Sequence, residues 1–252
     1  MSQYEKLLDI LKHSASIVFF TGAGVSTESG IPDFRSADGI YNQPLNEKLH
    51  QKVITPEEII SHSFYERYPA EFFDFYKEKL VYPEAEPNDA HLGMAELEKV
   101  CDVSVVTQNI DGLHQKAGSK KVYELHGSVL RNYCTRCGKF HPVDAVLNTA
   151  PHEIPTCSCG GRIKPDVVLY EEMLNDDVVN GAVNAIRNAD TLVIGGTSLV
   201  VYPAAGLIRY FKGSHLVLLN KSETQADHLA DLCIHEPIGQ VFKELRKDEL
   251  FR

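Results

Sequence analysis

At 252 residues, the chain is long enough for one large α/β domain, or for one such domain carrying a small inserted module. Its 43% hydrophobic content is ordinary for a soluble protein, and 35 acidic against 25 basic residues leave a net charge of −10. That balance argues against direct nucleic-acid binding as the main role and suits a basic protein or peptide partner, or serves solubility alone; no apolar run is long enough to span a membrane.

Met1 to Lys12 lacks the basic start and continuous apolar core of a secretion signal, so the expected location is the cytosol. Tyr4 to Lys12 is helical by pattern, with Leu7, Leu8 and Leu11 on one face. Ser16 to Phe20 is short, apolar and rich in β-branched and aromatic residues, the mark of a buried strand. Gly22 and Gly24 follow it, where the backbone turns tightly and approaches a ligand without a Cβ in the way. Ser26 and Thr27 offer hydroxyls and predict a helix start that favours an anion. Asp33-Phe34-Arg35 then adds an acid, an aromatic face and a guanidinium to the same loop.

Ser36 to Thr55 shows no sustained period and reads as a flexible loop with short helical pieces, suited to a lid. Pro56 to Ser63 and Pro69 to Leu80 read as two helices, the second carrying Phe72, Phe73, Phe75 and Tyr76. Asn88 to Val100 reads as another, capped at Asn88 or Asp89. Val103 to Thr107 is a buried strand that runs into Gln108-Asn109-Ile110-Asp111-Gly112, polar groups at a strand C-terminus, where α/β proteins place their ligands. They equally suit a helix cap. Val122 to Leu125 is the next strand and ends in His126-Gly127, with a side chain able to act as a base near neutral pH.

Cys134-x2-Cys137 and Cys157-x-Cys159, nineteen residues apart, form two close thiol pairs on a polar insert. This is the pattern of a closed, tetrahedral zinc knot, with redox pairing the alternative. Gly138 to Thr156 has too few large apolar residues for a core of its own, so zinc is expected to stabilise it. Cys101 and Cys233 sit among apolar neighbours as packing residues. Lys164 to Tyr170 is expected to re-enter the sheet. Asp176 to Ala189 is a capped helix, and Thr191 to Ile194 a strand followed by a second glycine–hydroxyl turn, Gly195 to Ser198. Pro203 to Lys212 (helix), His215 to Leu219 (strand), Leu232 to Ile234 (strand) and Gly239 to Phe251 (helix) complete the chain. Strands alternating with helices predict a doubly wound parallel sheet.

The stretch from Phe19 to Arg35, the Thr107 to His114 run, Leu125-His126-Gly127 and the cysteine module together resemble the sirtuins, the NAD-dependent protein-lysine deacylases, over about residues 4 to 245. The resemblance implies a Rossmann-like NAD-binding domain over 1–126 and 165–252, in which 36–87 supplies the loop and helical part of a small domain, and a zinc-binding module over 127–164. It implies that NAD lies against Gly22, Ala23, Gly24, Ser26, Thr27, Asp33, Phe34 and Arg35. Gln108 and Asn109 would face the reacting ribose, and Ile110 and Asp111 the nicotinamide carboxamide. Gly196, Thr197, Ser198 and Asn220 would hold the adenosine end. His126 would be the general base, with Asn109 beside it. Zinc would sit on Cys134, Cys137, Cys157 and Cys159, and the acylated lysine of a protein substrate would touch Val167, on a segment that pairs with the peptide as an added strand. Relatives that take acidic acyl groups carry a Tyr-x-x-Arg pair, where this chain has Tyr76 and Lys79, which favours acetyl over succinyl. The family usually has glycine where this chain has Glu171.

The implied reaction begins with attack of the acyl oxygen on C1′ of the nicotinamide ribose. His126 then draws a proton from the ribose, a hydroxyl attacks the imidate, and water completes the transfer to give lysine and O-acyl-ADP-ribose. An ADP-ribosyltransferase or a desuccinylase would use the same pocket. A non-enzymatic NAD sensor would not need His126. A dehydrogenase would need an acid about 20 residues past the glycine turn, which is not clearly present.

Overall fold

The computed structural model describes residues 1–36, 38–42 and 55–251. The first helix, α1 (Gln3–His13), starts with a capping box between Ser2 and Glu5 and lays Leu7, Ile10 and Leu11 on the core. The first strand, β1 (Ser16–Thr21), is buried along almost its whole length. Its alternate residues serve two layers. Ile17 and Phe19 join a cluster with α1, while Val18 and Phe20 join another on the opposite face.

Five further parallel strands complete the sheet: β2 (Asp102–Thr107), β3 (Val122–Glu124), β7 (Thr191–Gly195), β8 (His215–Leu219) and β9 (Leu232–Ile234), in the order β3-β2-β1-β7-β8-β9. The chain therefore leaves β1 towards β2 on one side and returns to β7 on the other. The C-terminal ends of β1 and β7 flank the point where the winding reverses, the place where open α/β sheets hold ligands. The doubly wound parallel sheet expected from the sequence is present.

Between β1 and β9 lie the helices α2 (Pro56–Ile59), α3 (His62–Arg67), α4 (Pro69–Lys79), α5 (Asp89–Leu97), α6 (Leu113–Ala117), α7 (Asp144–Leu147) and α8 (Asp176–Asn188), and α9 (Ile238–Leu245) follows β9. α5 and α9 cover one face of the sheet with Met94, Leu97 and Phe242, and α8 covers the other with Ala182 and Ile186. Among the described residues no helix is long and apolar enough to cross a membrane.

Several local expectations are corrected. No α-helix opens after the first glycine turn; two 3-10 turns, Ala23–Val25 and Thr27–Ser29, stand there instead. Gly30 adopts φ +83° and Pro32 follows, which together stop helix growth. The helix expected over Pro56 to Ser63 is split, because Ser61 starts afresh as the cap of α3, accepting from Phe64 N. The stretch expected as a helix at Pro203 to Lys212 is a 3-10 run, Ala204–Tyr210, with Gly206 inside it. The closing helix stops at Leu245, and Glu249–Phe251 forms a separate 3-10 turn. Of the expected lid, Ile40–Asn42 is a 3-10 turn, and residues 43–54 lie outside the described residues.

The largest correction concerns Lys164 to Tyr170. Its strand β6 (Ile163–Val167) does not enter the parallel sheet but pairs antiparallel with β4 (Gly127–Cys134), which pairs in turn with β5 (Phe140–Pro142). This small sheet is not a free-standing knot either. Val146 and Ile163 pack with Phe72, Phe73 and Tyr76 of α4 in a third hydrophobic cluster. The cysteine insert thus borrows a core that its own sequence lacks.

Candidate active site and metal centre

The two glycine turns that follow β1 and β7 interlock. Gly22 N donates to Gly195 O at 3.2 Å and Gly24 N to Gly196 O at 2.8 Å. A Cβ on Gly24 would stand 2.8 Å from Gly196 O, and one on Gly22 would stand 2.7 Å from Thr197 Cβ. Gly196 itself has φ +60° and packs on the Val25 backbone. Only glycine lets these turns pass so closely.

Ser26 links this first loop to the one after β2. Its hydroxyl donates to Asp111 Oδ2 at 2.7 Å and accepts from Asn109 Nδ2 at 3.0 Å. Asp111 Oδ1 accepts from Leu113 N at 2.9 Å in a turn that leads into α6, but the N-cap of that helix is Gly112, which has no side-chain cap, so neither Asn109 nor Asp111 is its cap. Burial pushes the Asp111 carboxyl up, against the downward pull of the Leu113 N–H and the Ser26 hydroxyl. Gln108 Nε2 donates to Thr197 Oγ1 at 3.1 Å, tying the β2 loop to the β7 loop as well. Asp33 Oδ1 accepts from the Arg35 and Ser36 amides, which shapes the loop that presents Phe34 and Arg35.

His126 stands between β3 and β4. Its Nδ1 lies 2.9 Å from Gln108 O. A carbonyl only accepts, so Nδ1 carries the proton and Nε2 keeps its lone pair. Burial pushes its pKa below the ordinary histidine value, with the Gln108 carbonyl acting in the other direction. The neighbouring Gly127 has φ +76°, and a Cβ there would collide with Asp166 O of β6. A glycine after the histidine is what allows β6 to lie alongside it, and Val168 N donates to His126 O at 3.0 Å.

Gly22, Gly24, Gly196, Ser26, Asp111 and His126 line one cavity of 1040 Å³. Its wall includes every residue expected to hold NAD, from Gly22 to Asn220, together with His126, Val167 and Lys79. Tyr76 does not line it. The ring is fully buried beside Phe72, with centroids 5.8 Å apart, so Tyr76 and Lys79 do not face the cavity as a pair. An aromatic stripe gives a helix a buried face, and here that face turns to the third cluster rather than to the ligand. The sequence reading missed Glu28, whose carboxylate accepts from Gly239 N and Gln240 Nε2 and fastens the glycine loop to the start of α9. Its signal, an acid inside the glycine loop, was visible but had no partner nearby in sequence.

Glu171 also lines the cavity. It adopts φ +75°, the left-handed conformation that glycine takes most easily, and its Oε2 accepts from both Ser63 N (2.9 Å) and Ser63 Oγ (2.6 Å). Those bonds hold a carboxylate in a conformation that otherwise favours glycine.

In the insert, the Sγ atoms of Cys134, Cys137, Cys157 and Cys159 all lie within 4.8 Å of one another, and none is in a disulfide. The Cys134–Cys159 and Cys137–Cys157 separations are 3.4 and 3.9 Å. A tetrahedron of thiolates at the usual zinc–sulfur distance has an edge of about 3.8 Å. Backbone N–H groups led by that of Cys137 pull the Cys134 thiol down to about 6. Cys159, although drawn down by the Gly161 N–H, is pushed up to about 11 by Cys134 and Cys137. Four thiols this close do not all ionise without a cation between them, and the donor set fits a structural zinc.

A sequence profile of the Sir2 family matches residues 22–203. The chain is 62% identical to an NAD-dependent protein deacetylase of Clostridium perfringens over 94% of this chain and 95% of that protein. It is 44% identical to one of Staphylococcus aureus over 96% of this chain and 97% of that one. Among solved structures, a Sir2 homologue–NAD complex aligns with a TM-score of 0.83 at 36% identity, covering 96% of this chain and 92% of that one. A Sir2 bound to a deacetylated p53 peptide and 3′-O-acetyl ADP-ribose aligns with a TM-score of 0.86 at 36% identity over 100% of both chains.

Proposed function

The chain belongs to the Sir2 family, and from that premise we propose how its own residues carry out the NAD-dependent removal of acetyl groups from protein lysines. NAD is a reactant here: it supplies the nicotinamide–ribose bond that breaks and the ADP-ribose that takes the acetyl group. Everything else is the work of the protein, which binds, orients, excludes water and moves a proton.

The interlocked turns at Gly22–Gly24 and Gly196–Ser198 give the diphosphate a close backbone approach, and Arg35 adds positive charge. Asn220, at the end of β8, takes the adenosine side. Asp111, held by Ser26 and the Leu113 amide, recognises the nicotinamide carboxamide beside the Ile110 backbone, while Gln108 and Asn109 face the reacting ribose. His126 is the base, with Nε2 taking the ribose proton. The supporting observation is that the Gln108 carbonyl fixes the His126 tautomer with Nε2 unprotonated, on the wall of the same cavity as Asp111.

The substrate enters along β6. That strand ends the order β5-β4-β6, so among the described residues one edge has no neighbouring strand, as strand addition by a peptide requires. Val167 then lies against the acyl-lysine stem. Acetyl is the preferred acyl group, because Tyr76 is buried away from the cavity and Lys79 alone makes a poor bidentate partner for a carboxylate. The cysteine insert holds one zinc through Cys134, Cys137, Cys157 and Cys159, and so braces β4 beside His126. We assign the NAD domain to 1–126 and 168–252 and the zinc module to 127–167, moving the boundary so that β6 stays with its partner β4, and we place the protein in the cytosol. A panel of acyl-lysine peptides assayed for nicotinamide release tests this reading: release must require both NAD and an acylated peptide, with acetyl the best.

A further inference from the structure

Behind the cofactor loops lies a polar cluster that does not reach the cavity. His91 on α5 and His114 on α6 are buried to 0% and 1% exposure, with their rings edge to face and centroids 4.8 Å apart. Asn88 N donates to His91 Nδ1 at 3.3 Å, which places the proton of the neutral ring on Nε2. His114 Nε2 is 3.0 Å from Oγ1 of Thr21, itself fully buried. Among the described residues, His91 Nε2 and His114 Nδ1 have no hydrogen-bond partner. Two imidazoles with orphaned nitrogens are a costly filling for an interior that leucine or phenylalanine would pack without loss. Their value lies in what they connect.

Thr21 is the last residue of β1 and directly precedes Gly22. His114 follows Asp111 by three residues. Asn88, the N-cap of α5, sends Nδ2 to Val25 O (2.8 Å) and to Ser29 Oγ (2.9 Å), the far side of the same glycine loop. The loop that cradles phosphate and the loop that bears Asp111 are therefore fastened from behind, while Ser26 and Asp111 meet in front.

We propose that Thr21 and His114, backed by His91 and Asn88, are positioning residues for the NAD site: the Thr21–His114 hydrogen bond sets where Asp111 stands relative to the glycine loop. This rests on the assignment of Asp111 to the nicotinamide carboxamide. None of the four touches the reacting atoms, so their loss acts through NAD and nicotinamide rather than through the peptide.

The test is a kinetic comparison of Thr21→Val, which removes the hydroxyl at constant shape, with His114→Gln, which keeps an N–H near the Nε2 position, and His114→Leu, which keeps bulk alone. KM for NAD and the inhibition constant of nicotinamide should both rise about fivefold, the scale of one net hydrogen bond, in Thr21→Val and His114→Leu. KM for the acetylated peptide should move much less. His114→Gln should stay near wild type, and adding His114→Leu to Thr21→Val should change little further. Folded Thr21→Val with wild-type values for NAD and nicotinamide overturns the proposal, as does His114→Leu behaving like His114→Gln. Asp111→Asn, measured alongside, separates the two ideas. If it too leaves both constants unchanged, the assignment of Asp111 fails; if only the Thr21 and His114 variants are silent, the positioning layer fails alone.

Discussion

Ser26 donates its hydroxyl to Asp111 across 2.7 Å, joining the loop after β1 to the loop after β2. Asparagine at 111 would keep the size, and its oxygen could still accept from Leu113 N, but one acceptor and the charge would go. Asp111→Asn should therefore weaken the use of NAD and blunt nicotinamide inhibition, by about tenfold if a charged hydrogen bond of roughly 1.5 kcal/mol is lost. The melting temperature should fall by only a few degrees. Steady-state kinetics with NAD and nicotinamide varied in turn give the answer, and unchanged constants would remove Asp111 from the site.

The cysteine insert gives a prediction in two parts. One zinc per chain should be found, and Cys134→Ala or chelation should release it. Because Val146 and Ile163 pack on the aromatic core of α4, metal loss should loosen the insert without unfolding the main sheet. Activity should fall through β4, whose first residue, Gly127, directly follows His126. Metal analysis with hydrogen exchange across 127–164 is the check; full activity and unchanged protection in zinc-free protein would contradict it.

The acyl preference follows from Tyr76, which lies in the aromatic cluster and not on the cavity wall. Acetyl-lysine peptides should turn over faster than succinyl-lysine peptides. Lys79→Arg should raise succinyl turnover relative to acetyl only modestly, since no tyrosine hydroxyl completes the clamp. A wild-type enzyme that favours succinyl peptides would overturn this.

Much of this site is legible in the sequence because its chemistry is local. Gly24 and Gly196 are glycines since neighbouring backbone excludes a Cβ, Gly22 since the Thr197 Cβ does, and runs such as Gln108 to Asp111 carry their polar groups on consecutive residues. What the sequence hides is pairing at a distance. β4 escaped notice because its register shifts between Ser128 and Asn132, which spoils the two-residue alternation that marks a strand. β6 was assigned to the wrong sheet because a short apolar run does not say which edge it joins. The role of Glu171 needed its φ of +75° and its bonds to Ser63, and the His91–His114 contact joins two helices 23 positions apart.

The same buried histidines predict acid sensitivity. Burial pushes His91 down to about 4, and pushes His114 well below the usual value with a further contribution from His91. Between pH 6.5 and about 4 the unfolded chain takes up protons at these positions that the folded chain refuses, so stability is full above 6.5 and falls as the pH drops through that window. Each histidine contributes at most about 1.4 kcal/mol per pH unit. Urea midpoints of wild type and His91→Asn at pH 7.5 and pH 5 should show a smaller acid loss in the variant. Equal losses would mean that His91 is not held neutral.

The central claim is that His126 is the base, and one paired measurement on His126→Ala tests it most directly. Deacetylation of an acetyl-lysine peptide should fall by about 10²–10⁴-fold. Exchange of labelled nicotinamide into NAD in the presence of the same peptide should persist, because the base acts after nicotinamide leaves and the glycine loops remain intact. The wild-type rate should rise with pH through a value below 6.5, in keeping with the downward shift at His126. Loss of deacetylation with retained exchange is the predicted result; deacetylation by His126→Ala at the wild-type rate would contradict the assignment outright.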